Sequence, residues 1–193
     1  YYGWVKIQAQ EADTVLVTGY GKNSEAEPDR LLNLQLDPFY QSPIGLDGAS
    51  CAALQASAYL ARTGVTARNM AEIAARNRNA GVRNPDAQVR TPATPEELMR
   101  TDWAVKPLRQ GYVPPNGESA VCLLLAAEER AGKFCDRPIW IQGIDTRVEL
   151  QSLGSRDLTR SPGTALATKQ ALAMAGLASV NDVGLIEMLA TNP

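Results

Sequence analysis

The sequence predicts an α/β protein in which a mostly parallel, helix-covered sheet carries a helical insertion. Three observations predict it. Short runs of β-branched and apolar residues recur without alternation, as in strands buried on both faces. Between them lie segments with helical spacing and recognisable caps, and such alternation of strands and helices is the α/β pattern. From Asp37 to Pro107, finally, no good strand is found, so that stretch reads as the insertion.

Taken in order, Tyr1-Tyr2-Gly3-Trp4-Val5-Lys6-Ile7 has no initiator Met and reads as the middle of an amphipathic helix, so a cut at this end is expected. Thr14-Val15-Leu16-Val17-Thr18-Gly19 is the first buried strand. Cys51, Leu54, Ala58 and Ala61 recur at three- and four-residue steps, which predicts a helix over 48–62 closed by Gly64. Thr66 caps the next helix, whose buried side is expected at Met70, Ile73 and Ala74, with Glu72 pairing to Arg76. Asn84-Pro85 stops it. Thr94-Pro95-Glu96-Glu97 is a capping box with proline at the first helical position, so a short helix starts there. Ser119 to Ala126 is the second buried strand, and Glu128 to Lys133 a short polar helix. Residues 139–143 and 183–189 are expected as further strands, on either side of a helix from Ser161-Pro162 to about Ala175.

The 193 residues suffice for one sizeable core or two small ones. A net charge of −2 gives no reason to expect nucleic acid or an anionic membrane as partner. No apolar run reaches the length of a membrane span, and three cysteines with no CxxC pair fit a reducing cytoplasm. Histidine is absent, which removes the commonest general base and metal ligand from this chain. No metal site and no bound cofactor are expected.

The chemistry-bearing residues give mild signals. Cys51 falls on the apolar side of a helix, Cys122 inside a strand expected to be buried and Cys135 in a connector; packing or surface roles suit all three better than nucleophilic ones. Gly19-Tyr20-Gly21-Lys22 lacks the third glycine and the immediate helix of a phosphate loop. Asn116-Gly117-Glu118 reads as a turn into a strand. Arg68, Arg76, Arg78, Arg83 and Arg90 make either a solvated face, balanced by Glu72, Asp86 and Glu96, or a rim for the phosphates of a nucleotide-bearing thioester.

The succession of segments resembles the thiolase superfamily, in its branch of sterol-carrier-type thiolases and lipid-transfer aldolases. Thr14 to Ser24 resembles the stretch after the nucleophile helix. Leu60 to Thr66, Met70 to Ala74 and Asn77 to Ala80 are similar to the insertion of that branch, and Asn84-Pro85-Asp86-Ala87-Gln88 to the motif closing it. Pro107-Leu108-Arg109 and Pro115 to Val121 resemble the loop and strand re-entering the first half, and Glu128 to Ala131 with residues 139–143 the passage into the second. Gly154 to Pro162 looks closest to lipid-transfer proteins of sterol side-chain breakdown.

The resemblance implies a thiolase-like fold of two βαβαβ halves, seen as a segment lacking both ends. Residues 1–36 and 108–134 would be the back part of the N-terminal half, 37–107 the helical loop domain, and 135–193 the start of the C-terminal half. It implies an acyl-CoA enzyme making or breaking a C–C bond, as an acyl-CoA C-acyltransferase or a retro-aldol lyase, with coenzyme A as cosubstrate. A homodimer and a small OB-fold and zinc-ribbon partner protein are implied as well; the competing class is a non-catalytic thiolase-like subunit. The loop from Tyr112 to Ser119 would wall the coenzyme A tunnel, with Tyr112, Asn116 and Gly117 as contacts. No catalytic residue is assigned, since the family's cysteines and glycine-flanked histidine fall outside the chain. The histidine of the family's histidine–aspartate motif would stand where this chain has Leu189 and Ala190, or, with a slip of register, Thr191 or Asn192. Leucine donates no hydrogen bond to an oxyanion.

Overall fold

The computed structural model describes residues 1–25, 27–34, 36–150 and 152–189. Along the chain run α1 (Tyr2–Gln8), β1 (Thr14–Gly21), α2 (Pro28–Asn33), α3 (Gly48–Thr63), α4 (Ala67–Gly81), α5 (Pro95–Met99), β2 (Trp103–Val105), β3 (Leu108–Arg109), β4 (Ser119–Ala126), α6 (Glu128–Ala131) and α7 (Pro162–Met174). They form two compact units. The first comprises Tyr1–Lys22, Glu118–Glu149 and Ser161–Ile186, the second Asn23–Gly117, Leu150–Arg160 and the segment from Glu187. These contact boundaries fall elsewhere than the borders at 36/37, 107/108 and 134/135 that the family correspondence implies; that three-part division remains a proposal.

In the second unit, local chemistry fixes the helices. Asp47 caps α3 by accepting from the Ser50 amide at 2.6 Å, and Gly64 closes it at φ 71°, where a Cβ would be strained. Thr66 with Asn69 and Thr94 with Glu97 form reciprocal capping boxes on α4 and α5. The helices bury Ala53, Met70, Ala71, Ala75 and Leu98 together with Ala93, Leu108 and Tyr112 in one cluster. Leu98 and Leu108 are sealed at 2% and 1% exposure. The Asn79 carboxamide donates to the Ala93 carbonyl at 3.1 Å and accepts from its amide at 3.0 Å, docking an extended segment onto α4.

Two details of α4 differ from expectation. Its buried side is Met70, Ala71 and Ala75, while Ile73 is exposed. Small alanines let α5 approach closely, and this rotates the stripe away from the isoleucine. Glu72 pairs backwards with Arg68 at 3.1 Å, because Arg68 also reaches Glu96 of α5 at 2.9 Å and so stands between two carboxylates. The expected absence of strands before Pro107 is also corrected: β2 and β3 form a short antiparallel hairpin across a cis Lys106–Pro107 bond.

In the first unit, β1 and β4 pair antiparallel from Thr14↔Ala126 to Gly21↔Ser119. α1 lies close to this ladder at Gly3, where a Cβ would come within 2.9 Å of Leu125 and 3.2 Å of Val17. Arg130 of α6 reaches back to Asp13 at 2.9 Å. Both ladders among the described residues are antiparallel, whereas the sequence pattern led to a mostly parallel sheet. Uniform apolarity favours burial and is silent about strand direction. Burial too is less than expected, since Leu16, Tyr20, Val121 and Leu123 are exposed: each strand has one ladder neighbour, and the cover given by α1 does not extend to them.

Residues 139–143 and 183–189, expected as strands, have no ladder partner among the described residues. The first is nonetheless packed. A Cβ on Gly143 would run into the Ala171 carbonyl and come within 3.2 Å of the Ala175 amide, so only glycine allows this approach to α7.

Candidate functional site

The loop between β3 and β4 carries Tyr112, Asn116 and Gly117, and the second unit builds its first part. Arg109 lies over the Trp103 ring at 3.8 Å and donates to the Thr101 carbonyl at 2.6 Å. The Thr101 hydroxyl accepts from the Gly111 amide at 3.1 Å. A Cβ at Gly111 would meet Leu98 at 2.9 Å, so a bare glycine is needed where the chain passes over α5. The turn Gln110–Tyr112 then drives Tyr112 into the core, 7% exposed. Its hydroxyl is buried without a hydrogen-bond partner among the described residues, and burial pushes the phenol up against the opposing pull of Arg109. That hydroxyl is therefore out of reach of a ligand, and the ring alone meets the neighbouring space.

Beyond Tyr112 the chain runs through Pro114 and Pro115, which have no amide to give. The Asn116 carbonyl accepts from Gln88 Nε2 at 2.8 Å, and the Gly117 carbonyl accepts from Asn23 Nδ2 at 2.8 Å. Asn116 is thus engaged through its backbone. Gly117 serves close approach, because a Cβ there would stand 2.8 Å from the Gln88 carboxamide oxygen.

A cavity of about 310 Å³ lies beside this loop, lined among others by Asn77, Arg78, Gln88, Val89, Tyr112 and Pro114. It brings Tyr112 to its wall, while Asn116 and Gly117 are not among its lining residues; Gln88, which does line it, donates to the Asn116 carbonyl. Of the five arginines weighed from the sequence, Arg78 alone lines this cavity, with Nε donating to the Thr91 carbonyl at 2.9 Å. Arg68 is held between Glu72 and Glu96, and Arg76, Arg83 and Arg90 are exposed. Gln88 and Asn23 stand within segments that the family resemblance covers, but their hold on this loop was not legible there, because they act across 28 and 94 residues, separations at which no spacing rule operates.

A larger cavity, about 450 Å³, belongs to the first unit and is lined by Trp4, Ile7, Leu124, Phe134 and Trp140 among others; it holds none of the candidates. Cys135 borders it and is exposed, as is Cys122, which the sequence placed in a buried strand; the open face of the ribbon leaves that thiol in solvent. Cys51 is half-buried, and burial followed by the nearby Asp47 carboxylate pushes its thiol up, away from the reactive thiolate. Among the described residues no group of three or more Cys, Asp or Glu is placed to hold a metal, and no helix is long and apolar enough to cross a membrane. Leu189 is 94% exposed; Ala190, Thr191 and Asn192, the alternative positions for an oxyanion donor, lie outside the described residues.

No protein-family model matches the chain. An acetyl-CoA acetyltransferase of Methanothermobacter thermautotrophicus is 25% identical over 96% of this chain and 49% of its own length. The fold matches an Ltp2–ChsH2(DUF35) aldolase with TM-score 0.75 and 20% identity, over 90% of this chain and 47% of that one. It also matches a monomeric SCP2-thiolase-like protein type 1 from Mycobacterium smegmatis with TM-score 0.74 and 24% identity, over 98% of this chain and 41% of that one. The chain therefore spans about half the length of the relatives it matches. Together these relationships bear out the resemblance: the chain is similar in sequence to an acetyl-CoA acetyltransferase and has the fold seen in thiolase-like proteins of the sterol-carrier type.

Proposed function

We propose that this protein is a thiolase-like acyl-CoA enzyme that makes or breaks a C–C bond, as an acyl-CoA C-acyltransferase or a retro-aldol lyase acting on a lipid or sterol side chain. The observation that carries this reading is the alignment, over nearly the whole chain, with a relative named as an acetyl-CoA acetyltransferase. The fold likeness to an aldolase supports the lyase alternative. Coenzyme A is the proposed cosubstrate. A partner protein is proposed because the aldolase is named with its DUF35 component. A homodimer and a cytoplasmic site belong to the same proposal.

In the acyltransferase route a thiolate attacks the β-carbonyl of a β-keto acyl-CoA. The Cα–Cβ bond breaks, the departing enolate takes up a proton, and the acyl group passes from the enzyme to free coenzyme A. In the retro-aldol route the β-hydroxyl loses its proton, the same bond breaks to release a carbonyl compound, and the acyl-CoA enolate left behind takes up a proton at Cα to give the shortened acyl-CoA. Both need a donor where negative charge develops on the thioester oxygen. This chain has no histidine for that task or for proton transfer.

The test gives the protein a β-keto acyl-CoA with free coenzyme A, and separately a β-hydroxy acyl-CoA alone. Thiol-dependent shortening of the first identifies an acyltransferase, and thiol-independent cleavage of the second an aldolase. Turnover of neither, with saturable thioester binding retained, leaves the second reading, a non-catalytic subunit that binds acyl-CoA or supports an active partner. Leu189, standing where the resemblance expects a histidine, favours the retro-aldol route or that reading over the acyltransferase.

A further inference from the structure

We infer that Gln88 and Asn23 are positioning residues, a pair of side-chain amides that fix the register of the loop 114–117 by gripping two successive carbonyls. The two prolines at its start donate nothing, and among the described residues none of the backbone–backbone bonds outside helices and ladders reaches residues 114–117. Among the described residues, the loop is gripped by Gln88 Nε2 on the Asn116 carbonyl and Asn23 Nδ2 on the Gly117 carbonyl, both at 2.8 Å. The two amides come from separate segments and grip adjacent peptide units, so together they fix the loop's direction as well as its position.

Each amide is itself delivered by a local device. Asn23 opens the 3-10 turn Asn23–Glu25 directly after β1. Gln88 follows the Asn84-Pro85 turn, in which the Asn84 side chain accepts from the Asp86 amide at 3.0 Å and its carbonyl from the Ala87 amide at 3.2 Å. This turn reverses the chain after α4 and presents Gln88 to the loop. Gly117 completes the fit, since any Cβ there would displace the Gln88 carboxamide. Because Gln88 also lines the 310 Å³ cavity, the clamp joins the cavity wall to the loop.

The role of this loop as a wall of the thioester site rests on the function proposed above; the clamp itself does not. Two readouts keep them apart. Both bonds are solvent-exposed, so removing either, by Gln88→Met or Asn23→Leu, should speed hydrogen exchange across 114–119 by roughly threefold, with α4 unchanged. Gln88→Glu places a carboxylate against a carbonyl at neutral pH, and its loop protection should return as pH falls through the carboxyl range, around 4; Gln88→Met should show no such return. Loop exchange unmoved by all three variants, or rising only together with α4, overturns the clamp. With the clamp upheld, each variant should weaken acetyl-CoA binding about threefold. Unchanged affinity overturns the positioning role toward the thioester, whereas failure of the unmodified protein to bind acetyl-CoA at all overturns the functional reading and leaves the clamp standing on its exchange data.

Discussion

The two units solve the burial problem to different degrees. The second surrounds Leu98, Leu108, Met70 and three alanines of α3 and α4 with short capped helices and a hairpin. In the first, only Ala131 is fully buried among the described residues, and the apolar side chains of β1 and β4 meet solvent. The same kind of residue therefore has a different energetic role in each. A leucine in the second unit is removed from water, worth roughly 1.5–3 kcal/mol, while Leu123 on β4 keeps most of its exposure. Stability should accordingly concentrate where the candidate loop is anchored.

The largest expected effect breaks this comparison outright if it fails. Leu98→Ala should cost about 2–5 kcal/mol in urea denaturation, while Leu123→Ala on the ribbon should stay within about 0.5 kcal/mol. Equal costs would show that the ribbon is as well buried as the helical core. Next comes Gly143→Ala, the exception within the loosely covered unit. Its Cβ meets backbone that cannot rotate aside, and the substitution should cost about 1–3 kcal/mol. A silent substitution would place residues 139–143 off α7.

A smaller effect sharpens the account of the caps. Bonds from Ser50 hold the Asp47 carboxyl below its ordinary value of 3.8. A lowered folded-state value stabilises the second unit at all pH above the unfolded value, and this contribution is lost as pH falls through and below 3.8. Asp47→Asn keeps a capping oxygen but no titration, so its denaturation midpoint should vary less over that window than that of the unmodified chain. The smallest effect is at Tyr112→Phe. Removing a buried hydroxyl that has no partner among the described residues should leave stability unchanged or raise it by up to about 1 kcal/mol. A clear loss would mean that the hydroxyl is engaged.

How much of this was legible in the sequence follows from range. Asp47, Thr66 and Thr94 act within three residues, and the helices opened by Thr66 and Thr94 were readable with their caps in place. β2 and β3, three and two residues long, carry too little pattern to register. Strand partners are non-local, so β1 and β4 were found as strands while their direction and exposure were not. At the candidate site, the sequence singled out Tyr112, Asn116 and Gly117. The amides that hold Asn116 and Gly117, and the burial of the Tyr112 hydroxyl, became visible only once distant segments were brought together.

The central claim is that the loop anchored on the helical unit walls a coenzyme A thioester site. Hydrogen exchange of the protein with and without saturating acetyl-CoA tests it most directly. The account predicts added protection over residues 112–119 and at the Gln88 segment, with the exposed β1–β4 ribbon unchanged. Saturable binding with protection mapped elsewhere, and none over 112–119, would contradict it.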